Sequence, residues 1–150
     1  MKTCFALTIT LLISTSAAAY ASPPPSISRV DELAAQQAKG LSSEEIVRQY
    51  LARIAAIDDA GPRLNAVIAT FPDAIEQARR LDAERKAGKI RGPLHGIPVL
   101  VKDNIEVAGP IATTAGSLAL KDNVTGRDAP IIARLRAAGA IILGKTNLSE

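Results

Sequence analysis

Apolar residues recur at helical spacing from the thirtieth residue onward: Val30, Leu33, Ala34 and Ala38 share one face, and the pattern predicts a helix from near Ser28 to just before Gly40. A second periodic stretch carries Ile46, Tyr50, Ile54 and Ile57 down to Asp58, opened by the capping-box pair Ser42 and Glu45 and stopped by Gly61-Pro62. Tyr50 lies on the apolar stripe of that helix and is assigned to packing. From Asn65 to Phe71 the pattern shortens to a strand. Pro72 and Asp73 then open a third helix with Ile75, Ala78 and Leu81 inward and Gly88 at its end. Glu76 with Arg80 and Asp82 with Lys86 are spaced as i,i+4 pairs, each worth ~0.2 to 0.5 kcal/mol, and mark an exposed face.

Ile97, Val99, Leu100 and Val101 form a β-branched run between a Gly-Pro turn and Asp103-Asn104, which predicts a strand. A segment rich in small residues and turn formers follows from Ile105 to Arg127. Asp128 is placed to cap a helix with Pro130 in its first turn, with Ile131, Ile132 and Leu135 facing inward and Gly139 as terminator. Ala140 to Leu143 reads as a buried strand. Strand, loop, helix and strand make a βαβ-like unit, right-handed if the two strands are parallel neighbours. The fold class this implies is α/β, with amphipathic helices ahead of the sheet.

The feature with chemistry in it is Lys102, which emerges at the end of the Ile97–Val101 strand. Open α/β sheets build sites at the carboxyl ends of strands, so a basic group there is a candidate general base if it loses its proton. Burial achieves that by penalising the ammonium form, and holding a lysine neutral costs roughly 4 kcal/mol, which argues for a large parent fold. The alternative from the strand alone is a lysine that reaches water or pairs with an acid. Asp103 need not touch it, because successive strand residues point to opposite faces. Thr113 and Thr114, in the loop beyond, are candidates to line a substrate site, and equally to bond local backbone.

The flanks of Lys102 decide between its readings. Gly92-Pro93-Leu94-His95-Gly96-Ile97-Pro98-Val99 leading into Val101-Lys102-Asp103-Asn104 resembles the amidase signature family. Thr113-Thr114-Ala115-Gly116-Ser117 and the run DAPIIARLRAAGAIILGKTNLSE from Asp128 to Glu150 are similar to it too, in order and spacing. The resemblance implies the N-terminal part of an α/β/α fold with a mixed central sheet, and hydrolysis of a carboxamide bond by a nucleophilic serine, a bridging serine with a cis peptide, and a lysine. It places Lys102 on that lysine and both serines in a Gly/Ser-rich segment beyond residue 150. Ser117 lacks the second glycine of a G-x-S-x-G elbow, and Ser149 falls in a segment the family uses structurally. A small-molecule or peptide amide is the implied substrate, no metal or organic cofactor is implied, and residues 1–150 alone are expected to be inactive.

Lys2, the apolar run from Phe5 to Ile13 and the small residues to Ala19-Tyr20-Ala21 read as an export signal at 1–21, cleaved after Ala21 and directing the protein to the periplasm or outside the cell. A Pro-rich flexible start at 22–27 would follow, then one amidase domain from residue 28, incomplete at 150. The run is too short and too broken by Thr8 and Thr10 to span a bilayer, so no membrane contact is expected after cleavage. Removing Lys2 from the 18 basic residues leaves 17 against 15 acidic ones, a net charge of +2 that argues for no nucleic-acid partner. Cys4 leaves with the signal, which excludes an internal disulfide. Oligomeric state is not specified by the sequence.

Four competing readings remain, one of them within the same family. Gly139 to Thr146, GAIILGKT, satisfies G-x-x-x-x-G-K-T, but its middle residues read as strand rather than a phosphate-cradling loop, and Lys145 is expected to tie down neighbouring loops or carbonyls. His95, the single histidine, is read as fixing a Gly-Pro turn rather than as a triad member. The remaining alternatives are a protein like the A subunit of glutamyl-tRNA amidotransferase, against which the signal segment speaks, and a binding module without chemistry.

Overall fold

The two short apolar runs on either side of the long loop lie next to each other as parallel strands in the computed structural model, which describes residues 29–148. In chain order the elements are α1 (Val30–Ala38), α2 (Ser43–Arg53), a π-helical turn (Ile54–Asp59), β1 (Val67–Thr70), α3 (Ala74–Lys86), β2 (Pro98–Lys102), a 3-10 turn (Leu118–Leu120), α4 (Pro130–Ala137) and β3 (Ile141–Thr146). The sheet runs β1-β3-β2, with β3 antiparallel to β1 and parallel to β2. This is an α/β fold with a mixed sheet. The signal segment, the Pro-rich start, the Ser28 helix start and Ser149 lie outside the described residues.

β3 is central, and its sequence shows why. Ile141, Ile142 and Leu143 are all buried, as expected of a strand covered on both faces. Ile141 and Leu143 pack with Val47 of α2 and Ala74, Ala78 and Leu81 of α3. Ile142 faces the other way, onto Phe71, Val101, Val107 and Ile132 of α4. The period of two along one strand thus produces a helix layer on each side of the sheet, and each fully buried Ile or Leu contributes about 1.5–3 kcal/mol. A third cluster of Leu33, Ile46 and Ile97 attaches α1. Gly144 lets β1 come close, since a Cβ there would lie 2.5 Å from the Ala69 carbonyl oxygen.

Polar residues depart from the expected pattern. In α1 the buried positions are Leu33 and Gln37, while Val30 is 44% exposed and Ala38 is also exposed. Gln37 goes inside because its amide finds partners there, Ser43 Oγ at 3.1 Å and the Gly96 carbonyl at 3.4 Å. Ser42 caps α2 as predicted, accepting from the Glu45 N–H at 3.1 Å, but the box does not close: the Glu45 carboxylate accepts from Gln49. Asp82 does not pair with Lys86. Its carboxylate accepts from the Ser43 and Glu44 N–H groups at 2.8 and 3.0 Å, so an anion on α3 satisfies the first turn of α2.

The predicted second helix reaches Asp58, with its last turn π-helical, and the Asp58 carboxylate accepts from the Ala66 and Val67 N–H groups at 2.8 and 2.9 Å. α4 starts at Pro130 with Ala129 as its N-cap, not Asp128. Asp128 instead accepts from the Ala108 N–H at 2.7 Å and pairs with Arg136 at 3.0 Å, closing the long loop onto the helix. Ile132 is buried, but Ile131 is 55% exposed because α4 turns only one side to the sheet. The Glu76–Arg80 pair forms on the exposed face of α3 as expected.

Candidate active site

Strand alternation sorts three consecutive residues at the end of β2: Val101 is buried, Lys102 exposed and Asp103 buried. Lys102 closes β2 and is in register with Thr146 of β3, at the carboxyl ends of two parallel strands. The covering that a neutral lysine requires is therefore not supplied by residues 29–148, where β2 is an edge strand. The buried lysine is its neighbour. Lys145 is fully buried, in register with Val101, and therefore on the face opposite Lys102.

Lys145 behaves as the sequence suggested and goes further. Its Nζ donates to the Ile105 carbonyl at 2.6 Å, to Thr113 Oγ1 at 3.0 Å and to Asp103 Oδ1 at 3.4 Å, so each ammonium hydrogen has an acceptor. Burial pushes this amine below the ordinary lysine range, while the carboxylates of Asp103 and Glu106 pull it back up. The other oxygen of Asp103 accepts from the N–H of Thr114 at 3.1 Å and from the Thr114 hydroxyl. Thr113 is buried, and the hydroxyls of both threonines are engaged in this network with the side chains of Lys145 and Asp103. The Asp103–Lys145 pair is not predicted by either strand alone. The available signal is parity: Asp103 lies two residues beyond buried Val101, on the same strand face.

An open cleft of about 390 Å³ borders this end of the sheet, lined by Ile68, Asp103, Gly116, Asn147 and Leu148. A more apolar cleft of about 320 Å³ lies between the π-helical turn and the sheet, with Tyr50, Ile54, Leu64 and Leu100 among its walls and Arg53 and Asp58 as its charged members. Among the described residues no group of three or more His, Cys, Asp or Glu side chains is arranged to hold a metal.

The competing motifs resolve structurally. Ala140 to Lys145 is buried and Ile141–Thr146 is continuous strand, so the G-x-x-x-x-G-K-T segment offers no loop of amides to a phosphate. His95 is 1% exposed, with Nε2 donating to the Leu81 carbonyl at 3.0 Å and Nδ1 accepting from the Arg91 N–H at 3.3 Å. Nε2 thus holds the turn to α3, and Nδ1 closes the turn on itself. Gly139, at φ +85°, is required beside it, since a Cβ would approach the His95 Cα to 2.9 Å.

With this geometry established, comparison with known proteins is direct. Residues 45–150 match the family described as Amidase. A peptide amidase from Stenotrophomonas maltophilia, solved by crystallography, is 55% identical and superposes with a TM-score of 0.75 over 81% of this chain and 24% of its own. A probable amidase of Arabidopsis thaliana is 48% identical over 114 residues, 75% of this chain and 22% of that protein. The A subunit of a glutamyl-tRNA(Gln) amidotransferase from Symbiobacterium thermophilum is 47% identical over 112 residues, 73% of this chain and 22% of that protein. The chain thus spans less than a quarter of the length of these curated relatives.

Proposed function

Since the chain belongs to the amidase signature family, we propose that it supplies the general base, Lys102, to a protein that hydrolyses a carboxamide. The observation carrying this reading is the position of Lys102 at the carboxyl end of β2, inside the motif by which the chain resembles the family. The neutral amine of Lys102 takes a proton from a bridging serine, which takes one from the nucleophilic serine as its Oγ bonds to the amide carbonyl carbon. The C–N bond breaks, the leaving amine receives the proton, and water then cleaves the acyl-enzyme. Both serines belong to sequence beyond residue 150, which would also cover Lys102, and residues 1–150 alone hydrolyse nothing. Residues 1–21 are read as the signal that exports the protein.

In the full-length protein, Lys102→Ala is expected to abolish ammonia release from a C-terminally amidated dipeptide while leaving the circular dichroism spectrum unchanged. Undiminished turnover would remove Lys102 from the mechanism. A second reading, part of an amidotransferase that acts on glutamine, is favoured by the 47% identity to the Symbiobacterium protein. Glutamine-dependent amidation of a charged transfer RNA, with no turnover of simple amides, would select it. Binding of amides without turnover of either substrate would select a non-catalytic module.

A further inference from the structure

The backbone around Lys102 is held more tightly than an exposed strand end requires. The N–H of Asp103 donates to the Thr146 carbonyl at 3.0 Å, and the Asp103 carbonyl accepts from Ala115 at 3.2 Å. The Lys102 carbonyl accepts from the Ile105 N–H at 3.0 Å, forming a tight turn whose far carbonyl is the one that accepts from Lys145 Nζ. The Asp103 carboxylate binds Lys145 with one oxygen and Thr114 with the other. Residues 103–105 and 113–115 are thereby folded around a single buried ammonium, and the residue immediately before them is Lys102.

A buried ion pair is weak evidence for stability, because well-packed apolar side chains of similar volume commonly do as well or better. What an apolar pair cannot do is direct a carbonyl, a hydroxyl and a carboxylate to fixed positions. We propose that Lys145 and Asp103 are positioning residues for Lys102: their buried pair sets the path of the chain on the far side of β2 so that the Lys102 amine leaves the strand end in one orientation. This rests on the reading of Lys102 as the base.

The test uses the full-length protein, with a C-terminally amidated dipeptide as probe. The double variant Asp103→Asn/Lys145→Met removes both charges together, leaving neither uncompensated. On folded protein, kcat is expected to fall roughly 100-fold, as for a small misplacement of a catalytic group, with KM within about twofold of the parent. A role confined to stability would lower the unfolding temperature and leave kcat per folded molecule intact, and that outcome overturns the inference. Lys102→Ala separates the two levels: full turnover in that variant defeats the general-base reading itself, whereas its inactivity beside a normal double variant defeats only the positioning role. Should the double variant not fold, amide exchange in the parent protein decides. The Ile105, Thr114 and Ala115 amides are expected to be protected about 1,000-fold or more, and exchange at near-unprotected rates overturns the proposal.

Discussion

Lys102 and Lys145 stand on neighbouring parallel strands, one residue pair apart in register, and meet opposite surroundings. Lys102 is exposed at the end of an edge strand, whereas Lys145 is fully buried in the central strand with three acceptors on its ammonium. Because strand side chains alternate, a single step in register separates a lysine turned towards solvent from one built into the architecture. Burial alone therefore does not single out the lysine proposed as the general base. The buried amine is engaged by three acceptors, and the exposed one lies at the surface of residues 29–148.

The comparison can be broken most directly through stability. Lys145→Met leaves the Asp103 carboxylate buried without its cation and is expected to cost the protein about 3–5 kcal/mol in chemical denaturation. Lys102→Ala should leave the midpoint unchanged or raised, since truncating an exposed side chain at a strand end removes little packing. Equal losses in the two variants would erase the distinction. A smaller effect tests whether a half-buried carboxylate elsewhere is also architectural. Asp82→Ala removes the acceptor for two N–H groups at the start of α2 and is expected to cost about 1 kcal/mol, read as a lowered unfolding midpoint; no change would show that water replaces it fully.

The smallest effect concerns an exposed counterpart. The guanidinium groups of Arg79 and Arg48 hold the Glu44 carboxyl down from 4.5 to about 2. A depressed carboxyl contributes stability that is fully present above its unfolded value and is lost as pH falls towards the folded one. Glu44→Gln should therefore flatten the decline in unfolding midpoint between pH 4.5 and 2 and leave neutral pH nearly untouched. An unchanged acid limb would show that these exposed pairs carry nothing.

Legibility from the sequence followed the range over which each residue finds its partners. The strands at Ile97–Val101 and Ala140–Leu143 and the stops at Gly88 and Gly139 are set by local composition and are present, although the second strand runs on to Thr146. Gln37, Asp82 and Asp128 depart from expectation because each takes a partner distant in sequence: Gly96, Ser43 and Ala108 respectively. A polar side chain goes inside when tertiary structure offers it a hydrogen bond, and no local period records that offer. The site is legible in the same measure. Lys102 is visible through its flanking motif, and Lys145 through its strand. Their relation is not, since it depends on the register between two strands more than 35 residues apart.

The order of the sheet also governs when this segment can fold. β1 and β2 never touch each other as strands; each is joined to the sheet only by β3, the last of the three to be made. On the ribosome, Phe71, Val99 and Val101 emerge before the strand that shelters them, and Val67 waits for Thr146. Pairing over such separations is slow, and apolar strands without partners are exposed to association in the interval. Residues 141–146 are thus the step on which the commitment of everything before them depends, and a pause in translation ahead of Ile141 would prolong the interval in which β1 and β2 remain open.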